Sequence, residues 1–291
     1  MLYNKNKIIP APLIFFVIMC SLSYCPDLLL ANEYHYEETG KADSTSSHDK
    51  LTIIKNDLAV ALPAPLQFNP DAILSWQHSY TQLKQDIATP LHNGHLHQSR
   101  IHWKTSEHRV SLWQHEWSLG LAMSSNRFRN IKPDQDGLVL EGSTFRVFQL
   151  SKTFSSTAGI QANYLFNRYR ILPDFGIRWQ STLGNVAIST QRFSWNHDLS
   201  ARRRITVIIA RTGSKWFAQD NDSGVKSEIY LRKNIANLGY QFKISPDWDI
   251  RFGLGYTQVR RLKFQNAFNG PVTLKFDRSP GFGLALIGFQ S

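Results

Sequence analysis

Ten histidines occur in the 291 residues, and eight of them fall between His78 and His197. His95 and His97 stand two apart. Residues two apart share a face in extended backbone, so this pair presents two imidazoles to one side, a spacing that suits two ligands on one metal ion. No carboxylate lies within two residues of either. The plainer reading is a polar stretch whose inward imidazoles take up a proton at mildly acid pH. His95 and His97 are therefore only weak metal candidates, and no cofactor is expected.

Nucleophilic chemistry needs a hydroxyl beside an imidazole base, with a third group orienting the ring. Asn196-His197-Asp198-Leu199-Ser200 holds the residue types. It is superficially similar to the motif of outer-membrane phospholipases, in which His and Ser stand two apart and Asn-Gly follows. Here Leu199 occupies the place of that serine, and Ala201-Arg202 follow Ser200. His197 and Ser200, three apart, face opposite sides of any strand. A polar loop between two strands is the expectation, and no catalytic residue is assigned. Basic residues cluster at Arg202-Arg203-Arg204, Arg232-Lys233 and Arg260-Arg261. Arg202, Arg204, Arg251 and Arg260 are the candidates for an interior wall or an outer rim. A forked guanidinium on an interior wall selects anions, and one on a rim binds lipid phosphate. The competing reading is salt bridging to Glu141, Asp174 or Glu228.

These side chains need elements to hold them, and the pattern after residue 71 is alternation. Asp71–Gln82 sets Ala72, Leu74, Trp76 and Tyr80 against Ser75, Gln77, Ser79 and Thr81. Trp113–Met123 sets Trp113, Trp117, Leu119 and Leu121 against Gln114, Glu116, Ser118 and Gly120. Ile250–Gln258 sets Ile250, Phe252, Leu254 and Tyr256 against Arg251, Gly253, Gly255 and Thr257. This period of two marks strands with one apolar and one polar or small face. Ile160–Phe166 repeats it, and further candidates are 96–104, 138–152, 174–181, 185–194, 203–212, 227–233, 237–244, 272–277 and 281–289. Turn signals separate them, among them Asn93-Gly94, Asp136-Gly137 and Asn269-Gly270. A soluble sandwich would bury the apolar face; an outer-membrane barrel turns it outward and lines its lumen with the polar one. Gly, Ser, Gln, Asn and Arg on the polar face, and aromatics near strand ends (Trp76, Trp113, Trp179, Trp216, Trp248, Tyr256), favour the barrel. The C-terminal run Gly281–Phe289 reads as a terminal strand, although Gln290 and Ser291 follow its last aromatic.

The N-terminus reads as an export signal. Lys5 and Lys7 precede the apolar run Leu13–Tyr24, which Pro10, Pro12 and Pro26 keep too short to span a bilayer. Cleavage is expected after Ala31, with Leu29 at the −3 position, or alternatively after Ser23. Lipidation at Cys25 is disfavoured by Tyr24 before it, where a small residue is the rule. Cysteines occur only at Cys20 and Cys25. A cut after Ala31 thus leaves a chain without disulfides or thiolate metal sites. The net charge is +11, from 33 basic and 22 acidic residues; losing Lys5, Lys7 and Asp27 leaves 31 and 21, or +10. A basic balance without a basic helix or an aromatic RNA-binding signature excludes nucleic acid. Residues 32–70 are expected to form a periplasmic arm: Glu33–Lys50 is polar and reads as disordered, and Leu51–Leu66, more apolar but broken by Pro63 and Pro65, reads as a short strand, a docking segment or part of a plug.

The stretches Leu172-Pro-Asp-Phe-Gly-Ile-Arg-Trp179, Gly213-Ser-Lys-Trp216 and Ile244–Tyr256, continuing through the Phe264–Gly270 turn to the terminal strand, resemble an uncharacterised family of proteobacterial outer-membrane β-barrels, a domain of unknown function. The resemblance covers roughly residues 70–289. It implies an outer-membrane barrel and carries no catalytic residue. The expectation is all-β: a signal peptide over 1–31, an arm over 32–70, and a single antiparallel up-and-down barrel of about 12 strands over 71–289. The expected role is a structural or passive solute-passage one, without catalysis, in the outer membrane of a Gram-negative cell. Expected partners are outer-membrane lipids and lipopolysaccharide, the barrel-assembly machinery and a small-molecule solute of unknown identity. A lipid-modifying barrel enzyme and a secreted soluble β-protein with a binding role are the alternatives.

Overall fold

The computed structural model describes residues 32–45, 50–62, 72–85, 94–105, 113–125, 127, 137–166, 168–219, 224–245, 248–265 and 271–288. The expected signal peptide over 1–31 lies outside them. Alternation becomes strand almost throughout: β1 Asn32–Thr39, β2 Ala42–Asp43, β3 Lys50–Ala61, β4 Ala72–Gln85, β5 His95–Thr105, β6 Trp113–Ser124, β7 Leu138–Gln149, β8 Phe154–Asn163, β9 Arg170–Ser181, β10 Gly184–Ser189, β11 Arg192–Ser200, β12 Arg203–Gln219, β13 Lys226–Ser245, β14 Trp248–Gln265, β15 Val272–Leu274 and β16 Arg278–Gly288. Neighbours in sequence pair antiparallel, β14 passes to β16, and β1 pairs with both β16 and β3. That double pairing closes the sheet. Among the described residues fourteen strands form the ring, with β2 and β15 as short additions at its edge.

Three expectations are corrected here. The ring has fourteen strands where about twelve were expected, because β1 and β3 come from the segment taken for a periplasmic arm. Its inward side chains carry charge: Lys55 Nζ lies 2.6 Å from Asp57 Oδ2 on the same strand, and only the folded ring brings Lys233 Nζ to 3.0 Å from Glu37 Oε1. Second, 227–233 and 237–244 are one strand, β13; Asn234 and Ala236 continue its ladder opposite Gln258 and Tyr256. Third, Asn196–Ser200 belongs to β11, and the turn falls earlier, between Ser189 and Arg192, inside the expected strand 185–194.

The two faces differ sharply. The register Tyr36–Leu284–Phe252–Tyr240–Ile205–His197 runs across six strands on the outside. One position along, Glu37–Gly283–Gly253–Gly239–Thr206–Asn196 runs on the inside. The outer face exposes Leu254 at 69%, Ile171 and Phe175 at 60%, and Leu238 at 57%. A contiguous apolar belt of this kind suits a hydrocarbon surround and opposes a soluble fold.

The ring has two unlike ends. Two-residue connections (182–183, 201–202, 246–247), the start of β1 and the end of β16 lie at one, called the turn end. At the other, the loop end, the interior is a dry core of Leu51, Ile53, Leu83, Leu96, Trp216, Ile229, Leu262, Phe264 and Phe276. Trp216, expected near a membrane interface, is buried there. Phe276 is fastened by donation of its N–H to the Val259 carbonyl at 3.0 Å. The wall is also pinched. Beyond Ala210, β12 leaves β11, and at Phe217 it bridges β6 in parallel at Met123. Gly213 packs against the β8–β9 connection, where a Cβ would lie 2.7 Å from the Leu165 backbone. The five strands β7 to β11 therefore widen the turn-end half into a lobe.

If β1 and β3 close the ring, deleting residues 32–61 exposes the edges of β4 and β16. The truncated chain is expected to lose the gel-mobility shift between folded and heat-denatured forms that marks a closed barrel. Retention of the shift would show that β4 to β16 close alone.

Candidate functional site

The inward positions of β4 to β14 build a polar chamber below the dry core. Its wall is stitched by cross-strand contacts. Arg100 on β5 meets Glu141 on β7 at 2.8 Å, with both side chains mostly buried (17% and 20% exposed). His35 Nδ1 lies 3.6 Å from Asp57 Oδ2, which Lys55 also holds. Gln241 donates to Asp249 and accepts from Arg251 Nη2 at 3.1 Å. Arg204 Nε donates to Asp198 Oδ1 at 2.5 Å. Partnering matters because an unpaired charge in such a wall keeps its full desolvation cost.

Three open spaces follow. A cavity of about 750 Å³ fills the lobe, lined by Lys104, Arg178 and Arg192 against Glu116 and Asp174. A second, about 390 Å³, forms the turn-end mouth, lined by Arg202, Arg203, Arg204 and Lys243 against Asp198 and Asp249. Three cations face two carboxylates in the first and four face two in the second, so each space is net positive. The third, about 180 Å³, lies where Gly239, Gly253, Gly255, Gly281 and Gly283 remove side chains from the wall beside Glu37 and Arg251.

The four basic candidates separate. Arg204 and Arg251 point inward and are tied to Asp198 and Gln241. Arg202 sits in the turn before β12 and lines the mouth. Arg260 is exposed on the outer wall. Of the expected carboxylate partners, Glu141 takes Arg100, Glu228 takes Lys215 at 2.7 Å, and Asp174 accepts from Thr190 Oγ1 at 2.5 Å. His95 and His97 share a face of β5, as their spacing requires, but that face is the outer one. His97 Nδ1 lies 3.4 Å from His78 Nε2, its Nε2 lies 2.8 Å from Ser125 Oγ, and His95 bonds the Tyr80 hydroxyl. Among the described residues no three His, Cys, Asp or Glu side chains gather as metal ligands. His197 is outward, stacked on Trp195 at 5.7 Å, whereas the Ser200 hydroxyl accepts from the Arg202 backbone. The two do not meet.

One constellation escaped sequence reasoning. Ser75 Oγ lies 3.4 Å from His102 Nδ1, and His102 Nε2 lies 3.2 Å from Glu116 Oε1. The three sit on β4, β5 and β6, and only the registers Ser75–His102 and His102–Ser118 bring them together. A nucleophilic serine also needs donors aimed at a developing oxyanion. The strand amides around Ser75 are engaged in the ladders to β3 and β5. Ser75, His102 and Glu116 thus link three strands across the wall.

Two outcomes check this account. Arg100→Ala leaves Glu141 without its partner and is expected to cost about 3 kcal/mol in urea-driven unfolding from lipid vesicles, with Glu141→Gln restoring part of it. A serine-directed phosphonate probe is expected to leave Ser75 and Ser200 unlabelled; covalent labelling of either, located by peptide mass, would make that serine a catalytic centre.

The family model described as Domain of unknown function (DUF6268) matches residues 67–285. No curated protein matches the chain. Among solved structures it is similar to the KdgM porin, with TM-score 0.40, 7% identity, and 90% of this chain and 100% of that one covered. It is similar to the anion-selective porin from Comamonas acidovorans, with TM-score 0.32, 8% identity, and 89% and 98% covered. It is also similar to the outer membrane protein opdK from Pseudomonas aeruginosa, with TM-score 0.30, 8% identity, and 89% and 98% covered. Likeness at this level bears on no solute and no mechanism, and the barrel fold rests on the ring's own hydrogen bonding.

Proposed function

This chain belongs to the family described as Domain of unknown function (DUF6268), and we propose that it is a passive, non-catalytic barrel of the Gram-negative outer membrane whose chamber admits small anionic solutes from the turn end. The observation that carries the reading is the pairing of an exposed apolar outer face with a polar, net-positive interior in one closed ring. Only a barrel in hydrocarbon needs that inversion of the usual rule. The arrangement of the ends supports an orientation: both ring termini and the two-residue connections 182–183, 201–202 and 246–247 face the periplasm, and the thirteen-residue connection 125–137 lies at the opposite end. Guanidinium groups at the mouth favour carboxylate or phosphate over cations.

The dry core divides this chamber from the loop end. Passage across the whole barrel therefore requires Trp216, Leu262 and Phe264 to yield. Planar-bilayer recording tests the reading. The native barrel is expected to conduct weakly, and Trp216→Ala with Phe264→Ala to raise conductance. Reversal potentials in a salt gradient are expected to show anion preference, which Arg178→Glu with Arg192→Glu reverses. Cation preference in the native protein, or an opened variant that still does not conduct, would refute solute passage.

A further inference from the structure

On the outer wall at the loop end, arginines from three strands converge. Arg232 on β13 stands directly opposite Arg261 on β14. The register then slips by one residue, pairing Lys233 with Val259 and leaving Arg260 as the extra residue of a β-bulge. A bulge re-aims a side chain, and this one turns Arg260 and Arg261 to the same side while Val259 and Leu262 stay buried inward. Arg211 on β12 joins them, and Arg211, Arg260 and Arg261 all act electrostatically on Arg232.

This grouping has a cost that nothing described relieves. Like charges directly opposite one another destabilise a strand pair. Among the described residues no carboxylate forms an ion pair with any of the four. The Nε atom of Arg232 is buried without a hydrogen-bond partner. Phe166 instead braces the guanidinium: Arg232 Cζ lies 5.6 Å from the ring centre, and Arg170 Cζ lies 5.7 Å from the same ring. Position sharpens the point. Following the outer face toward the loop end, Ile209 precedes Arg211 on β12, and Leu238, Ala236 and then Asn234 precede Arg232 on β13. On β14, Leu254, Tyr256 and then Gln258 precede Arg260. The cluster thus begins where the apolar belt stops.

We propose that Arg211, Arg232, Arg260 and Arg261 form a binding site for the phosphate groups of an anionic outer-leaflet lipid, seated against Phe166. The assignment rests on the membrane orientation proposed above. Forked guanidinium donors match phosphate oxygens and form strong charge-assisted bonds with them. A phosphomonoester brings up to two negative charges to a group of four positive ones. Its acyl chains would continue down the belt.

Native mass spectrometry of the full-length barrel in detergent tests the site, with diphosphorylated lipid A, a phosphate-free analogue and inorganic phosphate as probes. Native protein is expected to hold the diphosphorylated lipid and to prefer it over the phosphate-free analogue by about tenfold or more. Arg232→Gln with Arg261→Gln is expected to abolish that preference, and Arg232→Lys with Arg261→Lys to keep part of it. Unchanged preference in the glutamine variant, or equal retention of the phosphate-free lipid, would overturn the site. Displacement of the lipid by millimolar inorganic phosphate would overturn the lipid assignment and give the site to free phosphate. Each variant is first checked for its heat-dependent gel shift. Loss of that shift in native protein tells against the membrane reading itself, whereas a folded barrel with unaltered lipid preference tells against the site alone. Should the glutamine variant not fold, Arg211→Gln and Arg260→Gln, which lie outside the Arg232–Arg261 pair, give the same readout.

Discussion

A backbone N–H or C=O group in hydrocarbon has no water to bond, and each one left unpaired there costs several kcal/mol. A sheet in that surround can have no free edge along its span. Here that constraint falls on β1. It pairs with β16 on one side and β3 on the other, so the first and last strands among the described residues become neighbours and every strand of the ring has two partners. The remaining features follow from how a closed wall of fourteen strands is filled.

A ring of this size encloses more space than facing side chains can cross. The chain resolves this differently at its two ends. At the loop end large apolar residues and the β12–β6 bridge collapse the interior, and Gly213 gives up a side chain so that backbone can touch backbone. At the turn end the short strands β10 and β11 bow outward into a lobe, and polar side chains hold its wall by ion pairs and hydrogen bonds. The same shortening of β10 and β11 frees the edge of β12 beyond Ala210, which makes the bridge possible. Chamber and plug are thus two results of one local choice of strand length.

Charge is distributed with the same economy. Inside, Arg100, Lys55, Lys233 and Arg204 each meet a carboxylate: Lys55 on its own strand, Arg204 on the neighbouring one, and Arg100 and Lys233 on strands two and three places away. Outside, the charges stay off the apolar belt and gather at its border, where the β14 bulge turns two successive arginines the same way. A bulge is a one-residue change in register. It has no signature in the Val259-Arg260-Arg261-Leu262 run, which reads equally well as uninterrupted strand.

Local pattern alone determined a great deal. The alternations over Asp71–Gln82, Trp113–Met123 and Ile250–Gln258 specify strands and their faces, because side-chain direction in extended backbone depends only on whether a position is odd or even. Face by face, they also indicate that the apolar side looks outward. Partnership was beyond reach. The charges of β1 read as disorder until Glu37 meets Lys233, 196 residues away. Ser75, His102 and Glu116 are unremarkable until two registers align them, and Arg202, Arg204, Arg251 and Arg260, equal as a list of cations, are sorted into turn, lumen and outer wall only by the ring. Alternation is a property of neighbours in the chain, whereas register, closure and pinch are set by hydrogen bonds between strands distant in it.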